Sequence, residues 1–254
     1  SPRKAEVQLA TNEETIAGSK AYSCKFPNVK TSKAKNRAAI GVWNNPPKPA
    51  AIPITKKILD LGTGNAAIPL FLSKKTSAKI YGIEIQEISY NLALRNININ
   101  NLNDQIYIIY DNMKNYLKYF NKGFFDIIIS NPPFFKINEN VNFLNNLEQL
   151  SIARHEVEID LDELIKISSE LVKDRGYFYL VHRADRLSEI LNILQKYKFE
   201  AKKIKFCYTT KYKNAKIVLI EAIKNGKSGL TILPPLIINK ENGEYTDEVL
   251  KMFE

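Results

Sequence analysis

Cysteine and histidine are nearly absent from this chain of 254 residues, which holds two of each: Cys24 and Cys207, His155 and His182. The cysteines stand far apart with no Cys-x-x-Cys spacing, so neither a disulfide framework nor a cysteine-built zinc site is supported. Two histidines leave a histidine-built metal centre equally unsupported, and no metal is expected. Long hydrophobic runs are missing too. No stretch approaches the roughly 18 apolar residues that a membrane span needs, and the leading Ser1-Pro2-Arg3-Lys4 has none of the apolar character of a secretory signal. A cytoplasmic protein, monomeric and without membrane partners, is the expectation. What is present is ordinary for a globular chain: 44% hydrophobic and 25% charged residues, enough to bury a core and to exclude disorder throughout.

Acidic residues are in deficit, 27 against 37 basic ones, for a formal charge of +10. Residues 1–57 carry eleven basic residues and only Glu6, Glu13 and Glu14 against them, or +8, which leaves +2 for the remainder. This front segment has the lone Trp43 and the run Asn44-Asn45-Pro46-Pro47-Lys48-Pro49, and no sustained period of 2 or 3.6. It reads as an irregular basic arm or lid, residues 1–57, ahead of a domain over 58–254. A nucleic-acid-binding arm and a merely solvated segment both fit it.

From Ile58 onward the pattern alternates between strands and helices. Strands are expected at 57–61, 80–85, 106–110, 125–130 and 177–182, with helices at 68–73, 88–98, 113–120, 161–172 and 187–197. A turn is expected at Asp174-Arg175-Gly176. Near-continuous apolar strands alternating with helices imply an α/β fold, a Rossmann-like parallel sheet covered by helices on both faces. Two late strands, 203–208 and 215–223, lack a helix between them and predict an antiparallel hairpin at one edge, giving seven strands.

The chemistry sits where strands end. Asp60-Leu61-Gly62-Thr63-Gly64-Asn65-Ala66 joins a strand to a helix, and its glycines permit a tight turn and close approach to a ligand. Such a loop fits dinucleotides as well as S-adenosylmethionine. Asp60 favours the second, since a carboxylate suits the ammonium of a methionine moiety and not a pyrophosphate. Glu84, twenty residues past Gly64, can accept both hydroxyls of a ribose, and Ile85 beside it can wall an adenine. Asp111-Asn112 follows the third strand on the same rim; Asp111 can accept from an adenine amino group or cap the helix beginning at Met113.

Asn131-Pro132-Pro133-Phe134 at the end of the fourth strand is the most specific feature. The lone pair of an exocyclic amine or amide nitrogen is delocalised, so such a nitrogen attacks poorly until something localises it. The Asn131 side-chain oxygen and the Pro132 carbonyl can each accept one of its N–H groups, with the prolines fixing the backbone between them. Phe134 gives a planar target a face to stack on, as flipped bases require. Asn45-Pro46-Pro47 repeats the tripeptide but follows neither a strand nor a cofactor loop and is rejected as a second site. The long interval after Asn131 reads as a substrate loop. With it come candidate substrate contacts at Phe135, Arg154, His155, His182 and Arg183. A surface ion pair accounts equally well for Arg154, and a buried or capping role for His182.

Residues 57–254 resemble the bacterial tRNA1(Val) (adenine-37-N6)-methyltransferases, in a form similar to mycoplasma-type members. The likeness is carried by ILDLGTGNAAIPLFLS, GIEIQ, SNPPFFK, ARHE, VHRADRLSEI, KNAKIVLIEAIKNG and LPPLII…GEYTDEV. It implies the seven-stranded methyltransferase sheet of class I enzymes, S-adenosylmethionine as cofactor, and N6-methylation of the adenine 3′ to the anticodon of a valine tRNA. By the same resemblance Gly62, Gly64 and Glu84 bind the cofactor, Asp111 touches the adenine, and Asn131, Pro132, Pro133 and Phe134 hold the target amine. The reading of the residues themselves adds Asp60, Asn65, Ile85 and Asn112 as cofactor-binding candidates. Two departures stand out. Asn65-Ala66 replaces the usual Asn-Gly of the loop, and residues 1–57 do not match the cofactor-covering helix that ordinarily precedes the first strand. A protein-glutamine N5-methyltransferase is the alternative within the class, and a catalytically silent RNA-binding protein on the same fold is the alternative outside it.

Overall fold

The computed structural model describes residues 56–132 and 160–252. Residues 1–55 of the basic arm, with the Asn45-Pro46-Pro47 tripeptide, and Pro133, Phe134, Phe135, Arg154 and His155 therefore lie outside the described residues, while Lys57, counted with the arm, opens β1. In chain order the elements are β1 (Lys57–Leu61), α1 (Ala67–Ser73), β2 (Lys79–Glu84), α2 (Glu87–Ile99), β3 (Ile106–Tyr110), a 3₁₀ turn (Met113–Lys118) and β4 (Phe125–Ser130). After them come α3 (Leu161–Leu171), β5 (Val172–Arg183), a 3₁₀ turn (Ala184–Arg186), α4 (Leu187–Lys196), β6 (Phe199–Tyr208) and β7 (Ala215–Lys224). Two-residue strands β8 (Thr231–Ile232) and β9 (Leu236–Ile237) and the helix α5 (Asp247–Lys251) close the order.

All the strands form one sheet, ordered β3-β2-β1-β4-β5-β7-β6-β8, with β9 also paired to β6. The first five pair in parallel, and β7 runs antiparallel between β5 and β6. The order turns outward on either side of β1, which creates the crevice at the carboxyl ends of β1 and β4 where ligands of doubly wound sheets bind. The late strands form the expected hairpin, but its outer strand is not bare: β8 and β9 pair along β6.

Adjacent residues of the strands feed opposite cores. Leu59 and Leu61 of β1, Ile128 of β4 and Phe178 and Leu180 of β5 pack with α3 and α4 on one face. Ile58, Ile80 and Ile127 pack with Leu70 of α1 and Ala93 and Ile97 of α2 on the other. Each such side chain, withdrawn fully from water, stabilises the fold by about 1.5–3 kcal/mol. Val181, Cys207, Ile217 and Leu219 make a third cluster with Leu236, Ile238 and Val249, so the carboxyl-terminal LPPLII…GEYTDEV segment covers the hairpin where no long helix does. Burial pushes the Cys207 thiol up to about 12, and it behaves there as an apolar side chain.

Three expectations are corrected. The turn at Asp174-Arg175-Gly176 is a bulge inside β5: Val172 pairs with Phe125 and Tyr177 with Ile127, so β5 advances five residues while β4 advances two. Arg175 takes up the excess in the left-handed region at φ 60°. The strand expected from Lys203 begins at Phe199. Lys198, at φ 62°, ends α4 in the conformation that glycine usually supplies, which hid the boundary. The segment after Met113 winds as 3₁₀ and stops at Lys118.

Gly176 is required by the bulge. A Cβ there would stand 2.6 Å from Val172 Cγ2 and 3.0 Å from the carbonyl oxygens of Asp126 and Lys173. Gly176→Ala is expected to lower stability by about 1–3 kcal/mol, read as a drop in the urea midpoint; an unchanged midpoint would show that the bulge is not rigid.

Candidate active site

Parallel pairing sets the ends of four strands side by side. Asp60 lies opposite Gly82, Leu61 opposite both Ile83 and Ser130, and Glu84 opposite Tyr110. Asp60, Glu84, Asp111 and Asn131 therefore share one rim, as the sequence predicts. Pro132 follows, half-buried.

The loop after β1 is held from β2. The amides of Gly62 and Thr63 both donate to the Ile83 carbonyl, at 3.0 and 3.1 Å. Glu84 Oε2 accepts from the Gly64 amide at 2.7 Å and Oε1 from the Gln86 amide at 2.8 Å. Gly62, Gly64 and Ala66 all have positive φ, 72°, 58° and 63°. Ala66 thus sustains the left-handed geometry that the departure from Asn-Gly put in question, with its methyl fully buried. A Cβ on Gly64 would meet nothing within 4 Å, and one on Gly62 only Met113 Cε at 3.7 Å. The glycines border open space, a cradle that added carbons would fill.

Two buried acceptors on this rim have no hydrogen-bond partner among the described residues: Asp60 Oδ1 and Asn131 Oδ1. Leaving a polar atom so costs about 1–3 kcal/mol. Asp60 is fully buried; its Oδ2 accepts from Thr63 Oγ1 at 2.7 Å and nothing answers Oδ1. Burial pushes its carboxyl up to about 7 in spite of the Thr63 bond, with the Glu84 charge adding to the rise. A cation placed at Oδ1 would answer both the missing bond and the missing charge. Asn131 Oδ1 is neutral and calls for an N–H donor. Glu84, 6% exposed, is also raised by burial. Each of its oxygens accepts one backbone N–H and keeps acceptor capacity for one hydroxyl.

Asp111 and Asn112 divide the roles considered for them. Asn112 is the cap, its side-chain oxygen accepting from the Lys114 amide at 2.9 Å, which corrects the capping role considered for Asp111. Asp111 Oδ1 takes the Asn112 amide and Asn115 Nδ2, and Oδ2 takes the Tyr119 hydroxyl at 2.6 Å. These bonds, Tyr119 first, hold its carboxyl at about 2. It stays ionised on the rim. Asn65 anchors the loop through its carbonyl, which accepts from Asn96 Nδ2 at 3.0 Å, and Ile85 is half-buried beside Glu84.

His182 is only 3% exposed, and its Nδ1 accepts from the Arg183 amide at 2.8 Å. Desolvation, then the Arg186 charge, pushes it down to about 4. A neutral buried imidazole is the outcome, the second of its two readings. Arg183 is paired with Asp185 and Arg186 with Glu189. No group of three or more His, Cys, Asp or Glu with metal-binding geometry occurs among the described residues, and no helix among them is long and apolar enough to cross a membrane.

Thr63, Asn96, Ser130 and Gly82 were not singled out from the sequence. Ser130 Oγ donates to the Leu61 carbonyl at 2.9 Å and locks the β4 end to the β1 end. A Cβ on Gly82 would stand 2.8 Å from Thr63 Cγ2 and from Ile108 Cδ1, so this glycine lets Thr63 reach Asp60. A hydroxyl three residues after an acid was the available signal for Thr63; for Asn96, 31 residues from its partner Asn65, there was none.

Residues 47–207 match the methyltransferase small domain family. A protein of Porphyromonas gingivalis named tRNA1(Val) (adenine(37)-N6)-methyltransferase is 30% identical over 223 residues, covering 85% of this chain and 84% of that protein. One of the same name from Aliivibrio salmonicida is 24% identical, covering 84% and 85%. Among solved structures, a predicted O-methyltransferase of Agrobacterium tumefaciens superposes with TM-score 0.64 at 18% identity, covering 85% of this chain and 94% of that one. Geranyl diphosphate C-methyltransferase of Streptomyces coelicolor, crystallised with S-adenosyl-L-homocysteine, gives 0.53 at 11%, covering 75% and 77%. At these identities the two structures share the fold.

Asp60 makes the ligand-free protein pH-sensitive. Between the ordinary carboxylate range near 4 and its raised value of about 7, the folded chain holds a proton that the unfolded chain has released. Stability therefore falls as pH rises through that window, and the full cost is present above it. Asp60→Asn is expected to raise the denaturation midpoint at pH 8 and to leave it nearly unchanged at pH 4. Equal shifts at both values would show that Asp60 is ionised at little cost.

Proposed function

The chain belongs to the methyltransferase small domain family and, within it, to the tRNA1(Val) (adenine(37)-N6)-methyltransferases, and on that premise we propose that it methylates N6 of adenine 37 in tRNA1(Val), using S-adenosylmethionine. The observation that carries the reading is the pair of buried acceptors without partners on neighbouring strands, Asp60 Oδ1 on β1 and Asn131 Oδ1 after β4. One suits the ammonium of a methionine moiety and the other an amine N–H, and they sit at the ends of neighbouring paired strands.

Bound in the cradle, S-adenosylmethionine supplies a methyl group made electrophilic by its sulfonium. Asp60 would accept from the ammonium and balance its charge. Gly62 and Gly64 leave room for the cofactor against the backbone, and Glu84 would accept from the ribose hydroxyls. Ile85 would wall the adenine, while Asp111, fixed by Tyr119 and Asn115, would accept from the adenine amino group. Asn131 Oδ1 accepts one N–H of the target amine and the Pro132 carbonyl the other, so the nitrogen lone pair points along the line of transfer. Pro133 and Phe134 complete the same motif in the sequence, and Phe134 is proposed as the stacking face for the target base. Holding the reactants in line is worth effective molarities of roughly 10⁵ M or more. The nitrogen would form its bond to the methyl as the sulfur–methyl bond breaks, leaving S-adenosylhomocysteine, and the extra proton would then pass to water, so no base on the enzyme is required. Asn65 and Asn112 shape the cofactor loops from their backbone and capping bonds. Phe135, Arg154, His155 and Arg183 belong to the substrate side, with His182 supporting the end of β5 from within.

The glutamine-amide alternative has no observation in its favour, and the complete acceptor set weighs against a silent RNA-binding protein. The test is transfer of labelled methyl from S-adenosylmethionine to tRNA from cells lacking this protein, followed by nucleoside analysis. N6-methyladenosine in one tRNA is the expected product; label that binds the protein and never reaches tRNA would refute the substrate.

Two variants separate the halves of the site. Asn131→Ala should keep cofactor affinity within about twofold while lowering kcat by 10² or more, the usual loss for a positioned polar contact; unimpaired turnover would remove Asn131 from the reaction. Gly64→Ala is expected to lower stability by only about 1–2 kcal/mol for its left-handed backbone. Its methyl occupies the cradle, so calorimetry should find S-adenosylmethionine binding at least tenfold weaker. Undiminished affinity would place the cofactor elsewhere.

A further inference from the structure

The modest charge of the chain beyond residue 57 conceals a strong segregation. Residues 196–227 hold ten lysines against Glu200 and Glu221, or +8, which leaves −6 for the other residues after 57. This stretch is the hairpin of β6 and β7 with its flanks. Along the body of the hairpin the lysines serve the fold: Lys196 pairs with Asp162, Lys203 with Glu221 and Lys205 with Glu248. Lys202 donates to the Lys227 carbonyl and Lys224 to that of Tyr197. The tip is different. Lys211, Lys213 and Lys216 are exposed, and none has an acidic partner among the described residues. Between the first two stands Tyr212, 77% exposed, the most exposed large hydrophobic side chain of the described residues.

Topology decides which way this tip points. β7 is antiparallel to β5, with Ile217 opposite Arg183 and Ile223 opposite Tyr177, so β7 starts and β6 ends at the carboxyl end of β5. The β6–β7 turn, residues 209–214, therefore rises from the rim that carries Asp60, Glu84 and Asn131. Counting strand spacings of about 4.8 Å and rises of about 3.3 Å per residue puts Tyr212 roughly 20–25 Å from Asn131. A single nucleotide at Asn131 would not span that distance; a folded RNA would.

We infer that the β6–β7 turn is a docking surface for the tRNA, in which Lys211, Lys213 and Lys216 contact backbone phosphates and Tyr212 stacks on an unpaired base. Lysines without acidic partners can exchange condensed counterions for phosphates, and an exposed aromatic ring among cations is the combination that holds unstacked bases. Lys211 Nζ already lies 5.6 Å from the centre of the Tyr212 ring, so charge and stacking face sit together. The paired lysines lower down the hairpin are occupied and contribute little. The inference rests on tRNA as the substrate and adds to that reading where the RNA lies.

The test uses the full chain as wild type, as Lys211→Gln/Lys213→Gln/Lys216→Gln, and as Tyr212→Ala and Tyr212→Phe. Labelled methyl transfer to tRNA from cells lacking the protein gives KM and kcat, and binding is followed between about 50 and 200 mM salt. The triple variant should raise KM for tRNA about tenfold or more with kcat and S-adenosylmethionine affinity retained, and flatten the salt slope by about 2. Tyr212→Ala should raise KM about fivefold or more, and Tyr212→Phe should restore it, since the ring and not the hydroxyl does the stacking. Unchanged KM and salt slope, with wild type active on tRNA, would overturn the docking surface and leave the substrate standing. No transfer to tRNA by the wild type would overturn both.

Discussion

A carboxylate taken wholly out of water, with one oxygen bonded and the other bare, is the constraint around which this rim is arranged. Asp60 meets its neighbours through a single short bond from Thr63. Its neighbours in register on the adjacent strands, Gly82 on β2 and Ile129 on β4, have no polar side chain to offer it. A cationic partner at the bare oxygen would offset the cost of burying it. Thr63 reaches Asp60 only because residue 82 has no Cβ, so one glycine on a neighbouring strand governs the acid.

Glu84 works the opposite way. It is buried too, but each oxygen is bonded to a backbone amide, Gly64 on one side and Gln86 on the other. It fastens two loops to one carboxylate and fixes their separation before any ligand arrives. With Ser130 tying β4 to β1 and Asn96 tying the loop to α2, the frame is rigid where the ligand-facing atoms are free. Preorganisation of this sort removes ordering costs from binding. Farther along the rim the same economy appears in Asp111, whose bonds from Tyr119 and Asn115 set its orientation.

Much of this was legible in the chain itself, for identifiable reasons. β1, β3 and β4 were legible to the residue because their apolar runs stop at a glycine turn, an acid or a proline. The strand ends carry the chemistry in a parallel sheet, so reading the ends was reading the site. Elements failed where a residue sat in an unexpected backbone state: Arg175 in the β5 bulge and Lys198 after α4 take left-handed conformations without being glycine. Polar supports such as Asn96 were invisible because their partners are distant in sequence. The charge beyond residue 57 was legible only as a sum. Summing residues 58–254 averaged a basic hairpin with an acidic body, and only the fold separates them.

The two halves of the rim also close over very different lengths of chain. Gly64 meets Glu84 across 20 residues, whereas Ser130 meets Leu61 across 69. Loop closure makes the longer connection dearer by about 1 kcal/mol. The short closure joins β1 to the strand next in sequence, and the long one reaches past β2 and β3 to β4. The rim is thus made of one local junction and one distant junction. The residues proposed to hold the methyl donor, from Asp60 to Asn112, all precede β4 in the chain, and those proposed to hold the amine follow it, so the two proposed halves of the site are also two successive lengths of chain.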